Sequence, residues 1–296
     1  MTFGRLLTAM VTPFEDNGDI SYSQARKLAK ALTLSGSDGL VIGGTTGEAP
    51  SMSNEEKIRL FAEIKEEVGT SASVIAGTTD NNHANSVLLS QEAEKVGADG
   101  LLLTVPAYNK PSQDGLYHHF KAIAKSTNLP GLLYNVPSRT SLNMTTETTL
   151  RLAEIDNIVG VKEASSDATQ ITSIIDGAPD GFHVWSGNDD ETFSIMCVGG
   201  YGIVSVASNV IGSQIQTMIQ NILSGSISEA AKNHRYLLPL FKAIFWVTNP
   251  APIKYAVNRS GFNAGSPRLP MCLPDAGFRK KFDAVMDSYD IDLPVG

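Results

Sequence analysis

The chain has 296 residues, 42% of them hydrophobic, with a formal net charge of -8 and a sequence pI near 5.1. Its Lys and Arg are dispersed without basic runs, which argues against nucleic acid and anionic membranes as partners, and no apolar stretch reaches the ~18 residues of a membrane span. Leu6 to Val11 after Arg5 is too short for a signal peptide, and Cys197 and Cys272 form neither a metal motif nor a disulfide framework, so a cytoplasmic location is expected.

Apolar runs at residues 6–11, 39–42, 73–76, 100–105, 131–134, 158–161, 182–185 and 202–206 predict eight strands. Between the first two, Ala25, Leu28, Ala29 and Leu32 recur at i, i+3, i+4 and i+7, and Gly36 is placed to end that helix. Ser53 and Glu56 have the spacing of a capping box ahead of Ile58, Phe61, Ile64 and Val68. A faint repeat punctuates the chain. Gly36-Ser37-Asp38-Gly39, Gly97-Ala98-Asp99-Gly100 and Gly177-Ala178-Pro179-Asp180-Gly181 each stand between a helical pattern and an apolar run, as a helix-to-strand turn does. Their aspartates lie 61 and 81 residues apart (99 - 38 and 180 - 99), which fits two and three βα units of roughly 27 to 30 residues.

Continuously apolar strands alternating with helices predict a parallel sheet covered on both faces. Eight units fit an α/β fold closed into a (β/α)8 TIM barrel, with an open doubly wound sheet as the alternative on pattern alone. Beyond about residue 226 the strands stop and the sequence predicts some three helices. The expected division is therefore a barrel carrying the active site over 1–226 and a C-terminal helical region, 227–296, packed on it without a linker.

In such barrels chemistry sits at the C-terminal ends of the strands. Polar residues gather there: Gly43-Gly44-Thr45-Thr46-Gly47-Glu48 after the second strand, Pro106 to Asn109 after the fourth, and Tyr134 to Arg139 after the fifth. Lys162-Glu163 ends the sixth and Ser186 to Asp189 follows the seventh. Strand alternation groups Val159, Val161 and Glu163 on one face and Gly160 and Lys162 on the other, with the glycine leaving interior room for the lysine stem.

Two readings of Lys162 are open: a rim lysine paired with a carboxylate such as Glu48, or a Schiff-base nucleophile. A free lysine is only about 0.04% neutral at pH 7, and desolvation raises that fraction. The GGTTGE turn lacks the Gly-Lys-Ser/Thr ending of a P-loop, which argues against ATP, but its hydroxyls and N–H groups suit a carboxylate. Arg139 has the fork that bidentate carboxylate recognition needs. Tyr108 and Tyr134 are each ordinary core or rim residues taken alone. His118 and His119 diverge by about 100° on a helix; His83, His183 and His234 are isolated in sequence, and no spacing suggests a metal site.

Eight motifs together resemble the dihydrodipicolinate synthase family, within the pyruvate-dependent class I aldolases that include N-acetylneuraminate lyase. They are TAMVTPF (8–14), GGTTGE (43–48), PAYNKPSQDG (106–115), YNVPSRT (134–140), GVKEAS (160–165), SGNDD (186–190), GGYGIVSV (199–206) and NPAPIKYA (249–256). The resemblance implies that Lys162 condenses with pyruvate to an imine, whose enamine attacks L-aspartate 4-semialdehyde. The product would be 4-hydroxy-tetrahydrodipicolinate, of the diaminopimelate and lysine pathway. It implies proton transfer by Tyr134, connected through Thr46 to Tyr108 from a neighbouring subunit. Thr45 and Thr46 would hold the pyruvate carboxylate, the main chain at Gly187 and Val204 would line the pocket, and Arg139 would hold the carboxylate of the semialdehyde. A shared tyrosine implies at least a homodimer, the family norm being a homotetramer. No metal or dissociable cofactor is implied, since the imine is the electron sink.

Arg139 favours the synthase over sialic acid and keto-deoxy sugar acid lyases, which generally lack it. A keto-acid-binding regulator without turnover is the alternative from another class, against which the intact set of Lys162, Tyr134, Thr46 and Tyr108 argues. One departure concerns feedback. Lysine-inhibited members carry a serine, histidines, a glutamate and a tyrosine where this chain has Ala49, Asn54, Lys57, Asn85 and Ala107, keeping only Asn81. Weak or absent lysine feedback is expected, and Ala107 trims a contact at the dimer interface.

Overall fold

Eight parallel strands each hydrogen-bond to the next, and the last returns to the first, in a computed structural model that describes residues 3–295. They are β1 Leu6–Ala9, β2 Gly39–Ile42, β3 Ser73–Gly77, β4 Gly100–Thr104, β5 Gly131–Asn135, β6 Ile158–Glu163, β7 His183–Ser186 and β8 Gly202–Ser205. The eight apolar runs of the sequence are these strands, and the open-sheet alternative falls. Around them run α1 Tyr22–Leu34, α2 Asn54–Val68, α3 His83–Lys95, α4 Gln113–Lys125, α5 Pro137–Thr140, α6 Thr146–Ala153, α7 Ala168–Gly177, α8 Thr192–Cys197 and α9 Ser208–Leu223. The tail adds α10 Ile227–Ala243, α11 Ala251–Arg259 and α12 Ala276–Met286.

Period-two alternation divides the apolar residues into two cores. Leu7, Val41, Ile75, Leu102, Leu132, Trp185 and Val204 fill the barrel interior. Their chain neighbours Leu6, Leu40, Ile42, Leu101, Leu103, Leu133, Val184 and Ile203 face the helices. Leu237, Phe241, Ile253, Val257 and Phe282 of the tail join that outer core, so the last three helices share it with the barrel. The repeat has a structural task in two of its copies. The Asp38 carboxylate accepts the backbone N–H groups of Arg5 and Leu6 at the entry to β1, and Asp99 accepts that of Val74 in β3.

Ser53 and Glu56 do form a capping box on α2, but Leu60 and Lys57 occupy its buried face where the periodicity favoured Ile58, which is half-buried. In β6 the alternation is broken by one residue. Gly131 pairs with Ile158 and Leu132 with Gly160, so Val159 is extra, and a bulge redirects the side chain it inserts. Val159 packs toward the interior cluster, while Val161 faces the outer core and Glu163 bonds to polar groups there. Gly160 answers to β7 and not to the lysine stem, for a Cβ there would come within 2.3 Å of the His183 carbonyl oxygen and 2.5 Å of the Trp185 ring.

Candidate active site

Lys162 is the penultimate residue of β6, aimed into the barrel mouth and 5% exposed. Its Nζ lies 4.1 Å from the centroid of the Tyr134 ring on neighbouring β5, with which Lys162 is in register. No carboxylate bonds to it among the described residues. Burial brings its pKa down to about 7; the Asp189 carboxylate opposes that shift and the Arg139 guanidinium adds to it. The amine is thus neutral in a large fraction near pH 7, which the free side chain is not. Burial pushes the Tyr134 phenol up to about 12, Arg139 pulling the other way, so the ring stays protonated and able to donate.

A cavity of about 460 Å³ opens over Lys162 and is lined by Tyr134, Thr45, Thr46, Arg139 and Gly187 among others. Six of the predicted positions therefore meet, from the ends of β2, β5, β6 and β7. Val204 does not line it. That residue is fully buried in the barrel interior, and Val206, one pleat closer to the rim on the same face, takes its place. Tyr108 is not brought to the cavity within this chain; it is 92% exposed, on a left-handed backbone (φ +69°).

The loop after β2 is fixed by the tail. Glu48, a non-glycine at φ +61°, is held by Lys254 Nζ at 2.8 Å and by the Arg268 N–H at 2.9 Å. Lys254 Nζ also donates to the Thr12 carbonyl at 2.8 Å. These bonds pin a backbone conformation that would otherwise relax. Glu48 is thereby committed to Lys254, and the ion-paired reading of Lys162 has no partner left.

Sequence reasoning passed over three features. Asn249, just before α11, lines the cavity and donates from Nδ2 to Thr46 Oγ1 at 3.0 Å, while its backbone carbonyl accepts Arg139 Nη2 at 3.3 Å. Phe245 to Thr248 also line the cavity. Asp189, buried, joins the end of β7 to β8 by accepting the Ser205 hydroxyl at 2.5 Å and the Val206 N–H at 3.1 Å, and burial raises its carboxyl to about 6. Asn249 and Asp189 stand in the NPAPIKYA and SGNDD motifs, so the signal was present without a role attached.

Ala49, Lys57, Asn81 and Ala107 line a second cavity of about 550 Å³, which shares Thr45 and Arg139 with the first. Asn54 and Asn85 bond to each other beside it at 2.6 Å. Burial lowers the Lys57 ammonium's pKa against the pull of Asp80. His83 is not isolated in space: its Nδ1 lies 3.0 Å from that of His119, whose pKa burial brings down to about 4, because α3 and α4 are neighbours. No cluster of three or more His, Cys, Asp or Glu is arranged to hold a metal ion among the described residues.

A parallel barrel with a neutralisable amine at the catalytic end of a strand is the architecture of a lyase of the class I aldolase type. Over residues 2–288 the sequence matches the Dihydrodipicolinate synthetase family. It is 51% identical over 292 residues to the 4-hydroxy-tetrahydrodipicolinate synthase of Dehalococcoides mccartyi strain ATCC BAA-2266, covering 99% of this chain and 98% of that one. Its fold matches the crystal structure of a dihydrodipicolinate synthase from Bacillus anthracis with TM-score 0.96 and 43% identity, over 98% and 99% of the two chains. A dihydrodipicolinate synthase from Cyanidioschyzon merolae with lysine bound matches with TM-score 0.95 and 40% identity, over 97% and 98%. The chain belongs to the dihydrodipicolinate synthetase family and is a lyase.

Proposed function

We propose that this enzyme condenses pyruvate with L-aspartate 4-semialdehyde through an imine on Lys162. The observation that carries the reading is a buried lysine with no carboxylate bonded to it and a pKa of about 7. Neutral Nζ attacks the pyruvate carbonyl, and loss of water gives the imine. A proton then leaves the pyruvate methyl group, and the enamine carbon attacks the aldehyde. The imine serves as electron sink, with no metal or dissociable cofactor.

Thr45 and Thr46 hold the pyruvate carboxylate with their backbone N–H groups, Arg139 holds that of the semialdehyde, and Tyr134 moves protons through the Thr46 hydroxyl to Tyr108 of the partner subunit. The exposure of Tyr108 supports a role outside its own chain, in a homodimer or a homotetramer. A cytoplasmic location accords with two free cysteines, both exposed, and no helix among the described residues is long and apolar enough to cross a membrane.

Borohydride reduction in the presence of pyruvate, followed by mass mapping, tests the central claim. The expected result is a pyruvate-derived adduct on Lys162; a modified lysine elsewhere, or none, overturns it. Turnover of aspartate semialdehyde and not of sialic acid or a keto-deoxy sugar acid identifies the second substrate. The second cavity supports weak or absent lysine feedback, because Lys57 places a cation there and Asn85 bonds to Asn54 where a carboxylate would recruit an ammonium. Inhibition by sub-millimolar L-lysine would refute that part.

A further inference from the structure

Thr46 is the narrow point of the proton route. Its hydroxyl has one proton to give and two lone pairs to receive with. One lone pair is occupied, since the Asn249 side-chain nitrogen has only protons to offer and reaches Thr46 Oγ1 at 3.0 Å. Thr46 is 3% and Asn249 4% exposed, so bulk water does not compete. The amide is not free to turn round. As it stands, its Oδ1 is the atom left without a partner. Reversal would strand two N–H donors in its place, and orphaned buried donors are the rarer and less tolerated defect. Its backbone carbonyl is also held, by Arg139 Nη2 at 3.3 Å.

With one lone pair closed, Thr46 keeps one donor and one acceptor. We propose that Asn249 is a positioning residue that makes Thr46 a one-in, one-out proton relay between Tyr134 and Tyr108 of the partner subunit. The proposal rests on the catalytic reading above. In each transfer the O–H bond of one phenol breaks as its proton bonds to Thr46 Oγ1. The threonine's own O–H bond breaks as that proton bonds to the other, phenolate, oxygen, so Thr46 ends as it began. Without Asn249 the second lone pair opens, and the hydroxyl spends less time in the transferring orientation.

The experiment uses the full-length enzyme, with two readouts on pyruvate alone and initial rates with both substrates beside them. Borohydride trapping reports the imine; exchange of the pyruvate methyl protons in D2O, followed by NMR, reports the proton transfer after it. For Asn249→Ala, trapping and the KM for pyruvate are expected within about twofold of wild type, while methyl exchange and kcat fall about 10-fold. For Asn249→Asp, the new carboxylate accepts the Thr46 proton and reverses the hydroxyl, so the loss is about 100-fold near pH 8. Its activity relative to wild type then rises as pH falls, because a protonated carboxyl donates to Thr46 again. Wild-type exchange in Asn249→Ala overturns the proposal, and so does a ratio for Asn249→Asp that is flat with pH, as a packing role would give. If circular dichroism finds Asn249→Asp unfolded, the exchange rate of Asn249→Ala decides alone. Failure to trap wild-type Lys162 instead removes the catalytic reading beneath it.

Discussion

Of the three lysines buried among the described residues, Lys162 and Lys254 are treated in opposite ways. At the mouth of the barrel Lys162 meets an aromatic face and no bonded carboxylate, and its pKa falls to about 7. Between α11 and the loop after β2, Lys254 is wholly enclosed, yet Glu48 and the Thr12 carbonyl each bond it at 2.8 Å, and its pKa falls to about 8. The two values are close; the bonding is not. Depth alone does not make a lysine reactive. Lys254 loses an ion pair on becoming neutral, whereas Lys162 is relieved of an unpaired charge.

Removing each amine should break the contrast most visibly. Lys162→Ala should lower kcat by on the order of 10⁴-fold or more while the melting temperature holds or rises, since an unpaired buried ammonium is gone. Residual turnover within 100-fold of wild type would place the nucleophile elsewhere. Glu48→Ala strips the other lysine of its partner and should cost about 3–5 kcal/mol in urea unfolding. A loss of under about 1 kcal/mol would rank the pair with surface salt bridges and remove the contrast.

Smaller effects sharpen it. Arg139→Ala should raise the KM for the semialdehyde by roughly 10- to 100-fold, the worth of a charge-assisted contact, with the pyruvate KM nearly unchanged in initial-rate assays. The pH dependence separates the lysines by function. Pyruvate trapping on Lys162 should rise about tenfold per unit up to pH ~7 and level above it, because the protonated amine cannot attack. The stability effect has a definite sign. The unfolded chain keeps the Lys162 proton to about pH 10.5, while the folded chain releases it above about 7. The unfolded state binds more protons in that window, so wild type should gain stability there relative to Lys162→Met, by denaturant unfolding at each pH.

The barrel was legible because its strands are continuous apolar runs and its turns repeat. The inward lysine was legible from alternation, but for a partly mistaken reason. The β6 bulge moves Val159 inward, and Trp185 takes the space assigned to the lysine stem; neither leaves a mark in a period-two pattern. Val204 was named from the resemblance, whereas Val206 lines the cavity, a difference of depth along one strand face that a motif match does not fix. Asn249 and Asp189 were hidden for another reason. Their significance lies in contacts across 203 residues to Thr46 and 16 to Ser205, and such pairings are set by tertiary closure. The pairing of His83 with His119 was missed likewise, since adjacency of α3 and α4 brings it about.

The bonds from the tail to the loop after β2 impose an order in time. Synthesis delivers Thr46 and Glu48 early, and the eighth strand is complete at Ser205. Asn249, Lys254 and Arg268, which hold them, leave the ribosome only after that. The loop after β2 is therefore fixed only after every strand of the barrel has been made. A chain cut short after β8 would lack the groups that hold Thr46 and Glu48 in place, along with the helices that complete the outer core.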